Sequence, residues 1–122
     1  MNSDVLNKFE WHDLPLSALT ITESGVELIV TPYSEDSADY ERYRLVLGNA
    51  SVVRFDVQGS LRSKGFQELA VSYFRFDDVG DSRLSGELGI LPSSGVGFWT
   101  VVFENARWQF SQLPAEDAAA HG

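Results

Sequence analysis

Two histidines occur in the 122-residue chain, and one of them, His12, stands directly before a carboxylate in Phe9-Glu10-Trp11-His12-Asp13. A carboxylate beside an imidazole can orient the ring and stabilise its charged form, which is the raw material of acid–base catalysis. Neighbours in an extended chain point to opposite sides, however, so this spacing does not by itself bring His12 and Asp13 together. A hydrolase would also need a nucleophile, and nothing singles out one serine or threonine. With no cysteine in the chain, thiol catalysis, disulfide scaffolds and Cys-based zinc sites are excluded. The leading expectation is therefore structural, with Trp11 plugging one end of a core while His12 satisfies backbone groups; Trp11, His12 and Asp13 stand beside it as candidate binding residues. An enzyme built on His12 and Asp13 ranks last among the functional readings.

The densest concentration of functional groups lies in Pro32-Tyr33-Ser34-Glu35-Asp36-Ser37-Ala38-Asp39-Tyr40-Glu41. Glu35, Asp36, Asp39 and Glu41 supply carboxylates, and Tyr33 and Tyr40 supply rings. A connector between strands needs neither. Tyrosines give anchoring area at a protein interface and carboxylates steer a basic partner towards it, so this loop is the candidate docking surface. Other patterns carry less. Asp77, Asp78 and Asp81 lack the alternating ligands and distal glutamate of an EF-hand and read as a charged turn. Ser93-Ser94-Gly95-Val96-Gly97 has no lysine of a phosphate loop, and Asn49-Ala50-Ser51 matches a glycosylation sequon only formally. No cofactor and no metal are expected.

Eighteen acidic against nine basic side chains give a net charge of −9. That charge repels a phosphate backbone, so nucleic acid is not an expected partner. No apolar run reaches the ~18 residues of a membrane-spanning helix. The N-terminal stretch has no basic flank followed by an apolar segment, and the absence of cysteine suits a reducing compartment; a cytoplasmic location is the expectation.

The elements that must position these residues follow a period of two. Val53, Phe55 and Val57 alternate with Arg54, Asp56 and Gln58, and Tyr43, Leu45 and Leu47 form a similar run before Gly48-Asn49-Ala50. These two runs predict a hairpin. Leu19 and Ile21 precede a break at Glu23-Ser24-Gly25, after which Val26, Leu28 and Val30 continue until Pro32. The segment 70–76 is rich in strand formers, residues 78–81 supply a turn, and Leu84, Leu88 and Ile90 alternate beyond it. The segment 97–103 is apolar on both faces and predicts a central strand; Ala106, Trp108 and Phe110 alternate once more. About eight strands result, predicting an all-β antiparallel sandwich or incomplete barrel. Helix is confined to a turn after Ser3, carrying Val5, Leu6 and Phe9, and a second turn within 60–69. One domain spans 1–113, and 114–122 reads as a frayed tail.

Trp11-His12-Asp13 leading into a strand, Gly25–Val30, and the strand-then-turn segments 43–50 and 101–106 together resemble small bacterial β-proteins that include several immunity families of polymorphic toxin systems. The resemblance implies an intracellular antidote that binds a toxin domain and has no catalytic site. The leading expectation is thus a non-enzymatic interaction module, with a toxin-neutralising immunity protein as its specific form and a basic toxin domain as its partner. The alternative is a domain that binds a small apolar ligand in an aromatic-lined cavity between sheets. An open sheet also leaves edges to pair with a second copy, so a homodimer through an edge strand is expected as well.

Overall fold

The computed structural model describes residues 3–7, 9–58, 69–92 and 97–114. After the short helix α1 (Asp4–Asn7), the described residues form β1 (Leu14–Thr22), β2 (Gly25–Val30), β3 (Tyr33–Ser34), β4 (Asp39–Tyr40), β5 (Arg42–Gly48), β6 (Val52–Gln58), β7 (Leu69–Gly80), β8 (Arg83–Pro92) and β9 (Phe98–Leu113). The fold is all-β and antiparallel, as the alternation predicts. The main sheet runs β5-β2-β1-β7-β8-β9-β6, and β3-β4 is a separate two-stranded sheet. A further ladder joins β5 to β9. The pairings therefore return on themselves through β1, β2, β5, β9, β8 and β7, making a barrel. Its weakest seam is β1–β7, held by only Leu14↔Val71, Pro15↔Ala70 and Leu16↔Leu69.

Inward side chains fill the barrel. Leu28, Val30, Leu45, Leu47, Val71, Leu84, Leu88, Ile90 and Val101 are fully buried, with Phe103, Trp99 and Trp108 nearly so. α1, Phe9 and Trp11 seal one end. Leu6 is fully buried, and Trp11 packs against Phe9, Phe74 and Phe110 at ring-centroid distances of 4.9, 5.0 and 5.9 Å. The Trp11 indole N–H donates to the Leu6 carbonyl at 2.8 Å, so the large ring is buried with its polar atom satisfied. Of the expected amphipathic turn, Leu6 faces the core and Val5 stays exposed. Ser3 ties this turn to the barrel by donating to Asp78 Oδ2 at 2.8 Å.

The predicted hairpin of residues 43–57 does not form. β5 and β6 both pair antiparallel with β9, and therefore run in the same direction along one edge of it: Arg42–Gly48 oppose Leu113–Arg107, and Val52–Gln58 oppose Glu104–Phe98. Gly48-Asn49-Ala50-Ser51 is a corner, not a reversal. Asn49 sits at φ 52°, Ala50 N donates to Ser24 O and Ser51 N to Glu104 O. The segments read as two strands around residue 105 are one 16-residue strand, β9. It bends at Asn105, whose φ is 56°. The turn between β7 and β8 is shifted as well: the strands continue to Gly80 and Arg83, and Asp81-Ser82, both at positive φ, make a two-residue reversal.

No helix among the described residues is long and apolar enough to cross a membrane. The second helical turn expected within 60–69 falls outside the described residues except for Leu69, as do residues 93–96 and the tail from residue 115 onward.

Candidate functional site

His12 and Asp13 do meet. Asp13 adopts a left-handed φ of 61°, which breaks the extended geometry and turns its carboxylate back, so that Oδ2 lies 3.2 Å from His12 Nε2. The other ring nitrogen, Nδ1, lies 3.0 Å from the Ser72 carbonyl oxygen. Both ring nitrogens thus have an oxygen of the chain itself within hydrogen-bond reach. The side chains of His12 and Asp13 are 71% and 73% exposed, so the pair lies open to water at the barrel's rim. Trp11, a candidate binding residue by sequence and also the expected core plug, is 7% exposed and lies among the rings of Phe9, Phe74 and Phe110 in the core. The three consecutive residues have separate structural tasks: Trp11 fills the core, while His12 and Asp13 staple the entry of β1 to β7.

The acidic loop forms a small hairpin. Tyr33 pairs with Tyr40 and Ser34 with Asp39, and residues 35–38 make the reversal with Ala38 at φ 54°. The two tyrosines stand 56% and 63% exposed, the most exposed large apolar side chains described, and their rings meet edge to face at 5.3 Å. Glu35, Asp36 and Asp39 are exposed, and among the described residues none pairs with a cation. Arg44 and Arg54, near in sequence, are engaged elsewhere, with Glu27 at 2.9 Å and Asp56 at 3.3 Å.

Glu41 differs from the other three carboxylates. It is half-buried; Oε1 accepts from the Tyr43 hydroxyl and Oε2 from Gln112 Nε2, both at 3.2 Å, while its own N–H donates to Pro32 O. Glu41 closes the base of the hairpin against β5 and β9. Burial, then the charge and hydrogen bond of Glu41, hold the Tyr43 phenol above its usual range.

A second polar cluster, which the sequence reading passed over, crosses β7 and β8. The Tyr73 hydroxyl donates to Glu87 Oε2, Arg75 Nη2 lies 3.1 Å from the same oxygen, and the guanidinium stacks 4.5 Å above the Tyr73 ring. Burial and the Glu87 carboxylate raise the Tyr73 phenol above its usual range, while Arg75 opposes them. Counting back from the Asp81-Ser82 reversal would pair Arg75 with Leu88; a register shift between Asp78 and Gly80 moves the pairing by one residue, so that Arg75 opposes Glu87 and Tyr73 opposes Gly89, and the turn alone does not reveal the cluster. At the same hairpin's tip, the Gly80 N–H and then the Ser3 hydroxyl hold the Asp78 carboxyl below its usual range. Asp78 is thus a turn and tether residue, and among the described residues no group of three or more His, Asp or Glu could hold a metal ion.

Among the described residues a concavity of about 660 Å³ lies where β1 parts from β7; Leu16, Leu19, Ile21, Phe55, Leu69 and Trp99 line it. It lies beside the buried cluster of the barrel. Scans against protein-family models, curated proteins and solved structures return no match to this chain.

Proposed function

We propose that this chain is a non-enzymatic protein-interaction module whose docking element is the β3-β4 hairpin and whose partner is a basic protein. One observation carries the reading: Tyr33 and Tyr40 stand side by side and open to water, flanked by Glu35, Asp36 and Asp39, which pair with no cation among the described residues. A connector in water would gain by folding two large rings onto the barrel, since burying each stabilises by about 1.5–3 kcal/mol. A pair of rings held outward on a hairpin instead offers a rigid contact area with few rotatable bonds. The surrounding carboxylates, within a chain of net charge −9, favour encounter with a positive surface. A toxin-neutralising antidote is the specific form of this activity that the resemblance in the sequence implies.

The test is capture from a lysate of the source cells by the immobilised chain, with Tyr33→Ser/Tyr40→Ser and Glu35→Gln/Asp36→Asn variants in parallel. The expected result is a stoichiometric basic protein retained by the wild type and lost with the tyrosine variant. The carboxamide variant should associate more slowly and with a flatter dependence on salt. Equal capture by all three chains, or no stoichiometric protein on the wild type, would overturn the proposal.

A further inference from the structure

β6 is the end strand of the seven-stranded sheet. It pairs with β9 along one edge, and among the described residues its other edge has no ladder partner. Edge strands in soluble proteins are usually blunted by proline, lysine, a bulge or unpaired charge, because a free row of N–H and C=O groups invites another strand. Val52-Val53-Arg54-Phe55-Asp56-Val57-Gln58 has none of the first three, its ladder with β9 is regular throughout, and its two charges cancel. Phe55 and Val52 are 41% and 43% exposed.

We infer that β6 is a self-complementary edge through which two copies of this chain pair antiparallel about a two-fold axis at Phe55. Antiparallel pairing centred on that residue sets Phe55 against its own symmetry mate and Val53 against Val57. It also sets Arg54 against Asp56 of the second copy, and Asp56 against Arg54. Arg54 and Asp56 already share one face, with Arg54 Nε 3.3 Å from Asp56 Oδ2 within the chain. In the pair each cation gains a second carboxylate and each carboxylate a second cation, while opposite charges and like apolar groups face one another along the ladder. A shift of one residue along the strand would set Arg54 against Val57 and move every side chain to the wrong face. The pattern is isologous, as a two-fold interface must be. In a chain of net charge −9, a locally neutral edge is also the place where two copies repel least.

One seven-residue ladder buries less than the ~1,600 Å² of a standard interface, so association in the micromolar range or weaker is expected. Sedimentation equilibrium from roughly 1 μM to 1 mM spans that range and should show the mass rising from 13.6 kDa towards twice that value. Arg54→Asp sets carboxylate against carboxylate across the pair, and Asp56→Arg sets guanidinium against guanidinium, so each variant alone should remain at one chain's mass. Mixing the two single variants places the paired carboxylates of one chain opposite the paired guanidinium groups of the other and should restore dimers. The double swap Arg54→Asp/Asp56→Arg should dimerise by itself. Circular dichroism verifies that each variant is folded. A wild-type chain that stays monomeric throughout, single variants that dimerise as well as the wild type, or a mixture no more associated than its components would each overturn the inference. The hairpin variants used to test docking leave β6 untouched, so the two proposals fail separately.

Discussion

Gly86 shows how narrowly one residue can be constrained. A Cβ there would stand 2.1 Å from the Arg75 carbonyl oxygen and 2.8 Å from Phe76 Cα, both backbone atoms that cannot swing aside. The position sits where the β8–β9 register shifts between Leu84 and Gly86, and close approach of β7 is what the missing side chain permits. Gly86→Ala is expected to destabilise by about 1–3 kcal/mol, the usual range for overpacking, and to lower Tm by on the order of 10 °C. Gly48→Ala is the control, since its Cβ would meet only Val46 Cγ1 at 3.9 Å. Thermal melts that fall equally for both would show that backbone contact at Gly86 is not the constraint. Such positions were not legible from the sequence, where Gly48 and Gly86 are alike; the difference lies in which strand passes close by. Trp11 and Tyr33 are a parallel case. Both are aromatic residues in acidic surroundings and both were candidate binders, yet Trp11 is enclosed by Phe9, Phe74 and Phe110 whereas, among the described rings, Tyr33 meets Tyr40 alone.

Strand identity was readable in the sequence because inward residues recur at period two; pairing was not. Within single strands the alternation breaks where the chain bulges. Buried residues step from Leu16 to half-buried Leu19, from Val71 to Phe74, and from Phe103 to Ala106, odd spacings that follow register shifts in β1 and β7 and the bend of β9. The last of these made one strand look like two. The false hairpin has the same origin. Around the bend, β8 takes two steps from Leu84 to Gly86 while β9 takes three from Phe103 to Ala106. Outside β9, Gly48 to Val52 takes four steps against three from Glu104 to Arg107. Each strand further out is one residue longer, as a curved path requires, and the corner 49–51 holds that one extra residue against residues 105 and 106 of β9. Deleting Ala50 should therefore slip β6 alone, turning Phe55 away from Trp99, which it now meets edge to face at 5.8 Å. Deleting Asn105 should be far worse, because Arg107 and Gln109 would replace Ala106 and Trp108 in the core. Far-ultraviolet circular dichroism should keep its strand signal in the first variant, with tryptophan emission moved to the red, and lose it in the second. Equal tolerance of both deletions would refute this account of the corner.

Charge acts on the molecule as a whole. The described ion pairs Arg44–Glu27, Arg54–Asp56 and Arg75–Glu87 all lie at the surface, at N···O distances of 2.9 to 3.3 Å. Pairs of this kind stabilise by about 0–1 kcal/mol each. Against them stands an excess of nine carboxylates over cationic groups, spread over a barrel small enough that, at an ionic strength of about 0.01 M, a Debye length of ~30 Å lets every charge feel every other. Folding brings those carboxylates closer together than they are in the extended chain, so their repulsion opposes the compact state. Raising sodium chloride to about 0.15 M shortens the screening length to ~8 Å, which weakens the many long-range repulsions more than the few contacts at ion-pair distance. Stability at neutral pH should consequently increase with added salt. The measurement is the urea midpoint at a protein concentration below that of self-association, in sodium chloride from roughly 0.01 to 0.3 M. A rising midpoint at constant slope is expected. Arg54→Gln, which deletes one attractive partner and leaves the excess larger, should steepen the rise. A midpoint that falls with salt would mean that the three surface pairs outweigh the net charge and that the carboxylates of the β3-β4 hairpin experience less repulsion than their number implies.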